Sequence, residues 1–211
     1  KDEHSDPRHW RFIIQSLNDV KETLTKHNKK LTIAYGESDE IFTQLIKEYE
    51  IKDIFSHEET GLKVTFNRDK KLQEIFKTNE IKWHEFQSNA VIRGLSNRKL
   101  WEKKWNEIMC SKIKPIPIEK ANITFHSFNQ EKIPHFKTDD YHQVGGFNYA
   151  KKELDDFFDE RGLNYFKFIS KPEMSRHCCS RLSPYIAYGN ISIREVYQKL
   201  LESWKKPGWR R

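Results

Sequence analysis

The sequence predicts an α/β domain with a parallel sheet, followed by a region that is entirely helical. Short segments of alternating apolar residues recur along the chain up to Phe86, and amphipathic helical segments separate them. From Gly145 onward, apolar residues repeat at helical spacing. Strands that alternate with helices form a parallel sheet with helices on both faces, because each crossover connection lays a helix against the sheet.

The composition is that of a globular protein with a modest positive charge. The 211 residues suffice for one large domain or two small ones. The formal net charge of +7 and the pI near 9.1 fit a nucleic-acid partner, although an ordinary soluble enzyme also carries such an excess. No apolar run is long enough to cross a bilayer, and the charged N-terminus carries no export signal. We therefore expect a cytoplasmic protein without a membrane contact.

The three cysteines match neither a disulfide framework nor a metal site. Cys178 and Cys179 are adjacent, and Cys110 lies far away in the sequence. Structural zinc sites use spaced cysteine pairs, and the histidines here show no ligand spacing. We expect reduced thiols and no bound metal.

The first elements form a helix, a strand and a second helix. The first helix begins at Asp6, with Pro7 in its first turn. Its apolar stripe consists of Trp10, Ile13, Leu17, Val20 and Leu24. Residues 30–36 alternate as a short strand, and Gly36 turns the chain into an amphipathic helix. That helix carries Phe42, Leu45, Ile46 and Tyr49.

Two further strands are predicted at 52–57 and 81–86, with a helix at 67–78 between them. In such a sheet, ligands bind beyond the carboxyl ends of the strands. The crevice is therefore expected at Gly36-Glu37 and at His57-Glu58-Glu59. The two adjacent glutamates should point to opposite sides, so we interpret them as a solvated loop rather than an acid–base pair.

The rest of the chain predicts one more helix in the first domain, a connector and a second domain. A helix over 97–109 carries Trp101 and Trp105, which we interpret as packing groups rather than electron carriers. Residues 112–144 lose periodicity and contain Pro115, Pro117 and Pro134. The predicted domains are therefore 1–111 and 145–211, with 112–144 as the connector.

The second domain opens with Gly145-Gly146 and a helix that ends at Arg161-Gly162. Its apolar residues are Ala150, Leu154, Phe157 and Phe158. Further on, Pro184 suits a first helical turn, with Ser183 as the N-cap. Free N–H groups at such a helix start would seat an anion such as a cofactor phosphate. Gly189-Asn190 then ends this helix, and Ser192 caps the next one.

The stretch from Cys178 to Arg194 reads CCSRLSPYIAYGNISIR. It closely resembles the motif Thr/Cys-Ser-x-Leu-Ser-Pro-Tyr-Leu-x-x-Gly-x-Ile-Ser-x-Arg of the photolyase and cryptochrome family. Glu59-Thr60-Gly61 and Arg68-Asp69 look like the antenna domain of that family, and the helix after Gly145-Gly146 looks like the start of its flavin domain. The resemblance implies a Rossmann-like antenna domain followed by the beginning of an all-α FAD-binding domain.

The resemblance also implies a set of cofactor contacts, and no residue that acts as an acid or base. The implied contacts with FAD are Tyr165, Cys179, Ser180, Arg181, Leu182 and Ser183. In the family the serines and neighbouring N–H groups hold phosphate, while Tyr and Leu pack beside the flavin. Cys179 stands where many relatives have Thr, so a weaker thiol replaces a hydroxyl donor.

For the whole protein, the resemblance implies blue-light-driven repair of cyclobutane pyrimidine dimers in DNA. Photolyases flip the lesion out of the duplex, and excited reduced flavin lends it an electron. The candidate DNA contacts are Lys171, Arg181 and Arg194, although both arginines would equally suit carboxylates inside the helical domain. Many repair enzymes carry Arg at the place of Ile169, which weakens the usual DNA contact here.

Alternatives remain open for the antenna pigment and for the function. Val64 and Thr65 occupy places where folate-binding relatives carry Asn-Glu, so we expect a flavin antenna, a deazaflavin antenna or none. A cryptochrome photoreceptor without repair activity shares every motif retained here. A nucleotide-binding α/β module would need a P-loop or a G-x-G-x-x-G pattern near Gly36 or Gly61, and the sequence has neither.

The resemblance finally implies that the chain is a fragment. Relatives are much longer and begin with further strands, one of them central in the sheet. Without these strands, the sheet would keep unpaired edges and an uncovered apolar face. We therefore expect a monomer that is marginally folded and inactive by itself.

Overall fold

The computed structural model describes residues 6–124, 126, 128, 133, 137 and 142–206. These residues form the elements α1 (Pro7–Lys26), α2 (Ser38–Glu48), β1 (Asp53–His57), α3 (Lys63–Thr78), β2 (Lys82–Phe86), α4 (Trp101–Met109), α5 (Phe147–Asp159), α6 (Tyr165–Phe168), α7 (Pro172–Cys178), α8 (Ser183–Ala187) and α9 (Ile193–Ser203). Short 3₁₀ turns lie at Ile118–Lys120 and Arg161–Asn164.

The chain divides into two compact units. The helical unit comprises the described residues of Lys1–Thr32, Met109–Ser127 and Ile133–Arg211. The sheet unit comprises those of Ile33–Ile108 and Phe128–Lys132. In this division α1 belongs to the helical unit, and the predicted domains 1–111 and 145–211 stay a prediction. The part of the chain that the structure describes holds no helix long and apolar enough to cross a membrane.

In the sheet unit, β1 and β2 pair in parallel, which confirms the predicted α/β class. Asp53 lies opposite Lys82, and His57 lies opposite Phe86. The inner face packs on a cluster of buried residues from α3 and the start of β2, which are Leu72, Phe76 and Ile81. The outer face is exposed: Phe55 is 66% accessible. The expectation of helices on both faces is therefore wrong for this sheet.

The predicted strand at residues 30–36 does not form. Within the described chain this segment has no ladder of backbone hydrogen bonds, although Thr32 Oγ1 accepts a bond from the N–H of His126. An alternating side-chain pattern is not sufficient for a strand, because the backbone N–H and C=O groups must also pair with a neighbouring strand.

Two helix starts also differ from the prediction, for a local reason. Helix α3 begins at Lys63 rather than Asn67, and α4 begins at Trp101 rather than Asn97. Asn favours N-cap positions. Asn97 instead closes a turn in which its side-chain oxygen accepts from the N–H of Lys99. The two tryptophans of α4 pack against each other, with ring centres 6.2 Å apart.

The helical unit is built around α1, α5 and the segment after α7. Its buried cluster consists of Phe12, Ala150, Leu154, Phe157, Phe158, Leu182, Tyr185 and Ile191. Partly buried side chains of Tyr165, Ile186, Val196 and Leu200 pack against it. The apolar stripe predicted for α5 is therefore buried, and α1 covers it through Phe12.

The predicted N-caps of α1 and α9 are confirmed. Asp6 caps α1 by accepting from the N–H of Arg8, and His9 completes a capping box. Ser192 caps α9 in a second capping box with Glu195. Such reciprocal bonds satisfy N–H groups that a helix start leaves unpaired.

The predicted connector over 112–144 contains one short turn, Ile118–Lys120, among its described residues. Pro134 lies outside the described residues, as do the charged residues 1–4 and the C-terminal 209–211. The domain bounds drawn around the connector stay a prediction.

Candidate cofactor site

The candidate site lies in the turn between α7 and α8. Helix α7 ends at Cys178, and Cys179 follows with its N–H bonded to the carbonyl of Ser175. Arg181 has a φ of +56°, in the left-handed region that non-glycine residues rarely adopt. Leu182 returns to the right-handed helical region, with φ −85° and ψ −13°. Successive residues of opposite hand turn their N–H groups toward one side, a concavity known as a nest that binds anions.

Four consecutive N–H groups of this turn have no acceptor among the described residues. They belong to Ser180, Arg181, Leu182 and Ser183. The hydroxyls of Ser180 and Ser183 likewise make no hydrogen bond within the described part of the chain. Polar groups that the fold leaves unpaired and accessible are available to a ligand.

The predicted capping role of Ser183 is wrong. Leu182 occupies the N-cap position, Ser183 is the first helical residue, and no side chain caps α8. Helix α8 has five residues, too few for a strong helix dipole. The anion-binding capacity of this turn therefore comes from the nest and the two hydroxyls, and hardly from the helix.

The side chains around the turn divide between core and surface. Leu182 is 3% exposed and belongs to the buried cluster, so its side chain packs in the core. Tyr165 is half-buried against the same cluster, edge-on to Phe157 with ring centres 6.1 Å apart. The structure thus brings Tyr165 and Leu182 to one cluster, although they are distant in sequence.

The two adjacent cysteines differ in exposure. Cys178 is buried, whereas Cys179 is half-buried with its Sγ 4.0 Å from the carbonyl oxygen of Arg176. Both thiols are free. Among the described residues, no group of three or more His, Cys, Asp or Glu side chains could hold a metal ion.

The candidate DNA contacts carry charges that no carboxylate neutralises within the described chain. Arg181 and Arg194 are half-buried and take part in no ion pair there, and the Nε of Arg194 is buried without a hydrogen-bond partner. Lys171 is exposed at the start of α7, with its Nζ 5.4 Å from the ring centre of Phe168. The alternative in which the two arginines pair with carboxylates finds no support in these residues.

Sequence reasoning missed the residues that hold the turn in place. The amide of Gln143 donates to the carbonyl of Arg181 at 2.7 Å, and the hydroxyl of Tyr185 donates to the carbonyl of Val144 at 2.9 Å. The side-chain oxygen of Asn190 accepts from the N–H of Gly146. Burial raises the pKa of Tyr185. No local pattern marks these residues, because each bond joins positions about forty residues apart.

The sheet unit contains a separate crevice. A cavity of about 520 Å³ opens between the starts of α2 and α3, within the size range of small-molecule sites. It is lined by Glu37, Ser38, Asp39, Lys63, Val64, Asn67, Arg68 and Lys71. Glu37 belongs to the region in which the crevice was predicted.

The motif residues beside this crevice form ion pairs. Arg68 binds Asp69 at 2.7 Å and lies 3.8 Å from Glu59. Glu58 pairs instead with Arg93, which also binds Glu85 at 3.0 Å. The hydrogen bond to Glu85 raises the pKa of Arg93. Glu58 and Glu59 thus have different arginine partners, as expected for side chains on opposite sides, and neither faces the other as an acid–base pair.

Comparison with known proteins finds similarity to one family. The sequence model of the family described as DNA photolyase matches residues 1–96. The chain is 23% identical to the cryptochrome DASH of Idiomarina loihiensis over 90% of its length and 44% of that protein. Its fold matches a Synechocystis cryptochrome with a TM-score of 0.68 over 97% of the chain, at 20% identity. The chain is thus similar to members of the photolyase and cryptochrome family over most of its length.

Two further proteins match the chain at similarly low identity. The chain is 24% identical to cryptochrome-2 of Gallus gallus over 93% of its length and 38% of that protein. An archaeal photolyase of Sulfolobus tokodaii, whose crystal structure contains two FAD molecules, matches 97% of the chain with a TM-score of 0.66 at 18% identity. The chain covers 46% of the Synechocystis and 48% of the Sulfolobus protein, so it spans less than half the length of these relatives.

The photolyase and cryptochrome family binds FAD and antenna chromophores. The turn from Ser180 to Ser183 fits the phosphate part of such a cofactor, since it offers N–H groups and two hydroxyls without a partner in the described part of the chain, and the cation of Arg181. Leu182 does not fit a role in packing against the flavin, because its side chain is buried in the hydrophobic core of the helical unit.

Proposed function

We propose that this chain supplies the phosphate-binding part of the FAD site in a flavoprotein that repairs cyclobutane pyrimidine dimers under blue light. The observation that supports this most is the row of four N–H groups from Ser180 to Ser183 that have no acceptor among the described residues, in a turn that contains the left-handed Arg181. When bound, FAD supplies the light absorption and the electron that splits the dimer. The residues of this chain bind and orient the cofactor, and none transfers a proton.

In this proposal each residue of the turn has a defined role. The hydroxyls of Ser180 and Ser183 and the neighbouring N–H groups donate hydrogen bonds to phosphate oxygens, and charge-assisted bonds of this kind are the stronger ones. Arg181 adds a positive charge, while the thiol of Cys179 is a weaker donor. Tyr165, half-buried against the core cluster, would pack beside the flavin.

The DNA contacts follow from the same charges. Lys171, Arg181 and Arg194 are proposed to bind phosphates of lesion-containing DNA, because none of them is neutralised by a carboxylate in the described chain. We expect this chain alone to lack repair activity.

The crevice of the sheet unit is proposed to bind an antenna pigment, a flavin or a deazaflavin rather than folate. Lys63 and Lys71 line the cavity together with Glu37 and Asp39, so the lining offers cations for a phosphate-bearing ligand as well as carboxylates. Val64, at a place where folate-binding relatives carry a polar residue, is 56% exposed and presents an apolar surface to the cavity.

A second candidate function is a cryptochrome photoreceptor that binds FAD without repairing DNA. Several relatives of the chain carry the name cryptochrome, which supports this alternative. The two functions differ in the fate of damaged DNA, and the same experiment separates them.

The test uses the full-length protein from the same source. We expect an absorption spectrum with flavin bands, and blue-light-dependent repair of an oligonucleotide that contains a thymine dimer. Replacing Ser180 and Ser183 together by Ala should weaken FAD binding by about a hundredfold, because two hydrogen bonds to a charged group are lost. Ser175→Ala is the matched control, since among the described residues its hydroxyl bonds only to the carbonyl of Pro172 in its own helix.

Each outcome decides between the candidates. Flavin bands together with repair support the photolyase, and flavin bands without repair support the photoreceptor. A full-length protein without flavin, or a double variant that binds FAD like the wild type, would contradict the proposed site.

A further inference from the structure

We infer that α1 positions the proposed phosphate-binding turn, with Ser16 and Asp19 as positioning residues that contact no cofactor atom. The inference rests on the proposed function for its flavin readout. Three segments carry it, all within the helical unit: α1, residues 143–147, which we call the strap, and the segment 180–190.

The first step concerns the start of α5. Its N-cap residue, Gly146, has no side chain, and its first turn contains no acidic residue. A helix start leaves N–H groups unpaired, which a capping side chain or a nearby negative charge normally satisfies. Helix α5 therefore lacks a local cap.

Side chains of α1 supply the missing acceptors. Gln15 Oε1 accepts from the N–H of Gly145 at 3.0 Å, and Asp19 Oδ2 accepts from the N–H of Phe147 at 2.9 Å. The other oxygen of Asp19 accepts from the side-chain amide of Asn148 at 2.7 Å. A carboxylate at this place also interacts favourably with the positive end of the helix dipole. Helix α1 thus caps α5 from more than a hundred residues away.

The second step links α1 to the segment that carries the turn. Asn190 Oδ1 accepts from the N–H of Gly146 at 3.2 Å and lies 3.1 Å from the hydroxyl of Ser16, whose single proton is shared between this oxygen and the carbonyl of Phe12 at 2.8 Å. One side-chain oxygen thus joins α1, the strap and the end of the segment 180–190. Because the two bonds share this oxygen, loss of the Ser16 hydroxyl should also weaken the bond from the N–H of Gly146.

The third step links the strap to the turn itself. Gln143 donates to the carbonyl of Arg181, the residue whose left-handed φ aligns the unpaired N–H groups. Tyr185 donates to the carbonyl of Val144. The strap is therefore bonded both to α1 and to the turn. A displacement of the strap would weaken the hydrogen bond from Gln143 to the carbonyl of Arg181 and so change the conformation of the turn.

The glycines of the strap fit this arrangement. A Cβ on Gly145 would lie 2.1 Å from the backbone oxygen of Phe12, closer than any real contact. A Cβ on Gly146 would lie 3.0 Å from Cβ of Asp19, and its φ of +126° is strained for residues with a side chain. The strap therefore approaches α1 more closely than any residue with a side chain allows.

The experiment compares Asp19→Ala and Ser16→Ala with Thr25→Ala in the full-length protein. The hydroxyls of Ser16 and Thr25 both lie within hydrogen-bond distance of a carbonyl four residues earlier in α1, but within the described chain only the Ser16 hydroxyl has a second acceptor in another segment. We expect the Kd for FAD to rise about tenfold in Asp19→Ala and about threefold in Ser16→Ala, and to stay unchanged in Thr25→Ala. The Kd is measured by flavin fluorescence on the apoprotein.

A second readout separates positioning from general stability. Amide hydrogen exchange at residues 180–183 should accelerate in Asp19→Ala and Ser16→Ala, while exchange in the middle of α5 stays as in Thr25→Ala. Asp19→Asn should restore the Kd to within about threefold of the wild type, because its amide oxygen still accepts from Phe147. A purely stabilising role of α1 would instead accelerate exchange throughout the helical unit.

The failure of this inference differs from the failure of the proposed function. A wild-type protein that binds no FAD contradicts the proposed function, and the exchange data then decide the positioning role by themselves. A wild type that binds FAD, with Asp19→Ala and Ser16→Ala variants whose Kd and exchange match Thr25→Ala, would overturn the inference and leave the proposed function intact.

Discussion

At the scale of single residues, Tyr185 connects the sequence motif to the core. It is 1% exposed, its ring centre lies 5.2 Å from that of Phe12, and its hydroxyl donates to the carbonyl of Val144. A buried hydroxyl must find an acceptor, because an unpaired polar group in the interior is costly. The tyrosine of the motif therefore serves the packing of the helical unit as well as the position of the strap.

Tyr185→Phe tests this role at two pH values. At neutral pH we expect the free energy of unfolding to fall by about 1 kcal/mol, because the carbonyl of Val144 loses its partner. Burial raises the pKa of Tyr185 above its ordinary value near 10. The stability that the neutral phenol contributes is present below pH 10 and is lost as the pH rises through the folded-state pKa. The difference between wild type and variant should therefore shrink above pH 10, as measured by urea unfolding.

Tyr188→Phe is the control for this prediction. Its ring also lies near Phe12, at 5.4 Å, but the residue is 40% exposed. Its unfolding free energy should follow the wild type at every pH. A Tyr185→Phe variant with the same pH dependence as the wild type would contradict the assignment.

At the scale of elements, the packing of α1 against the strap depends on close backbone approach. Helix α5 is also joined to α9 by an ion pair of Asp155 with Lys199 at 2.7 Å, and to the residues after α9 by a pair of Asp159 with Lys206 at 2.9 Å. These pairs are partly or largely exposed, and exposed pairs contribute little. The contact between α1 and Gly145 therefore matters more for the arrangement of these helices than the surface charges do.

Gly145→Ala should destabilise the protein by about 3 kcal/mol. The new Cβ meets backbone atoms of Phe12, which cannot move aside as a flexible side chain would, so α1 must shift. Thermal unfolding followed by circular dichroism at 222 nm measures the effect. Gly189→Ala is the matched control in the same unit: its φ is +69° and a Cβ meets nothing within 4 Å, so only backbone strain of about 1 kcal/mol is expected. Equal losses in both variants would show that close approach is not the cause.

At the scale of the whole molecule, the two units have cores of different size. Among the described residues, the buried cluster of the helical unit contains eight apolar side chains, and that of the sheet unit contains three. The exposed outer face of the sheet, with Phe86 at 55% accessibility, adds no burial. Stability in small domains follows the apolar area removed from water, so the sheet unit should be the less stable one.

Hydrogen exchange of this chain tests that difference. We expect amides of β1 and β2 to exchange at least tenfold faster than those in the middle of α5, because the small core lets the sheet open locally. Mass spectrometry of peptides from each element gives the rates, and peptides from α9 provide an internal reference within the helical unit. Equal protection of β2 and α5 would contradict the prediction, and a cooperative melt at high temperature would contradict the expectation that the chain is marginally folded.

The sequence by itself determined the features that depend on neighbouring residues. The helix starts at Asp6 and Ser192 and the parallel strands β1 and β2 follow from short patterns. These features depend on residues that are close together in the sequence, so a short sequence pattern is enough to predict them.

Only the tertiary structure decided which segments meet. Residues 30–36 carry a strand pattern without a strand, Leu182 enters the core, and α1 joins the helical unit to cap α5. The physical reason is the same in each case. A backbone group or a buried side chain is satisfied by whatever partner the fold brings within reach, and for Ser16 and Asn190 that partner is 174 residues away.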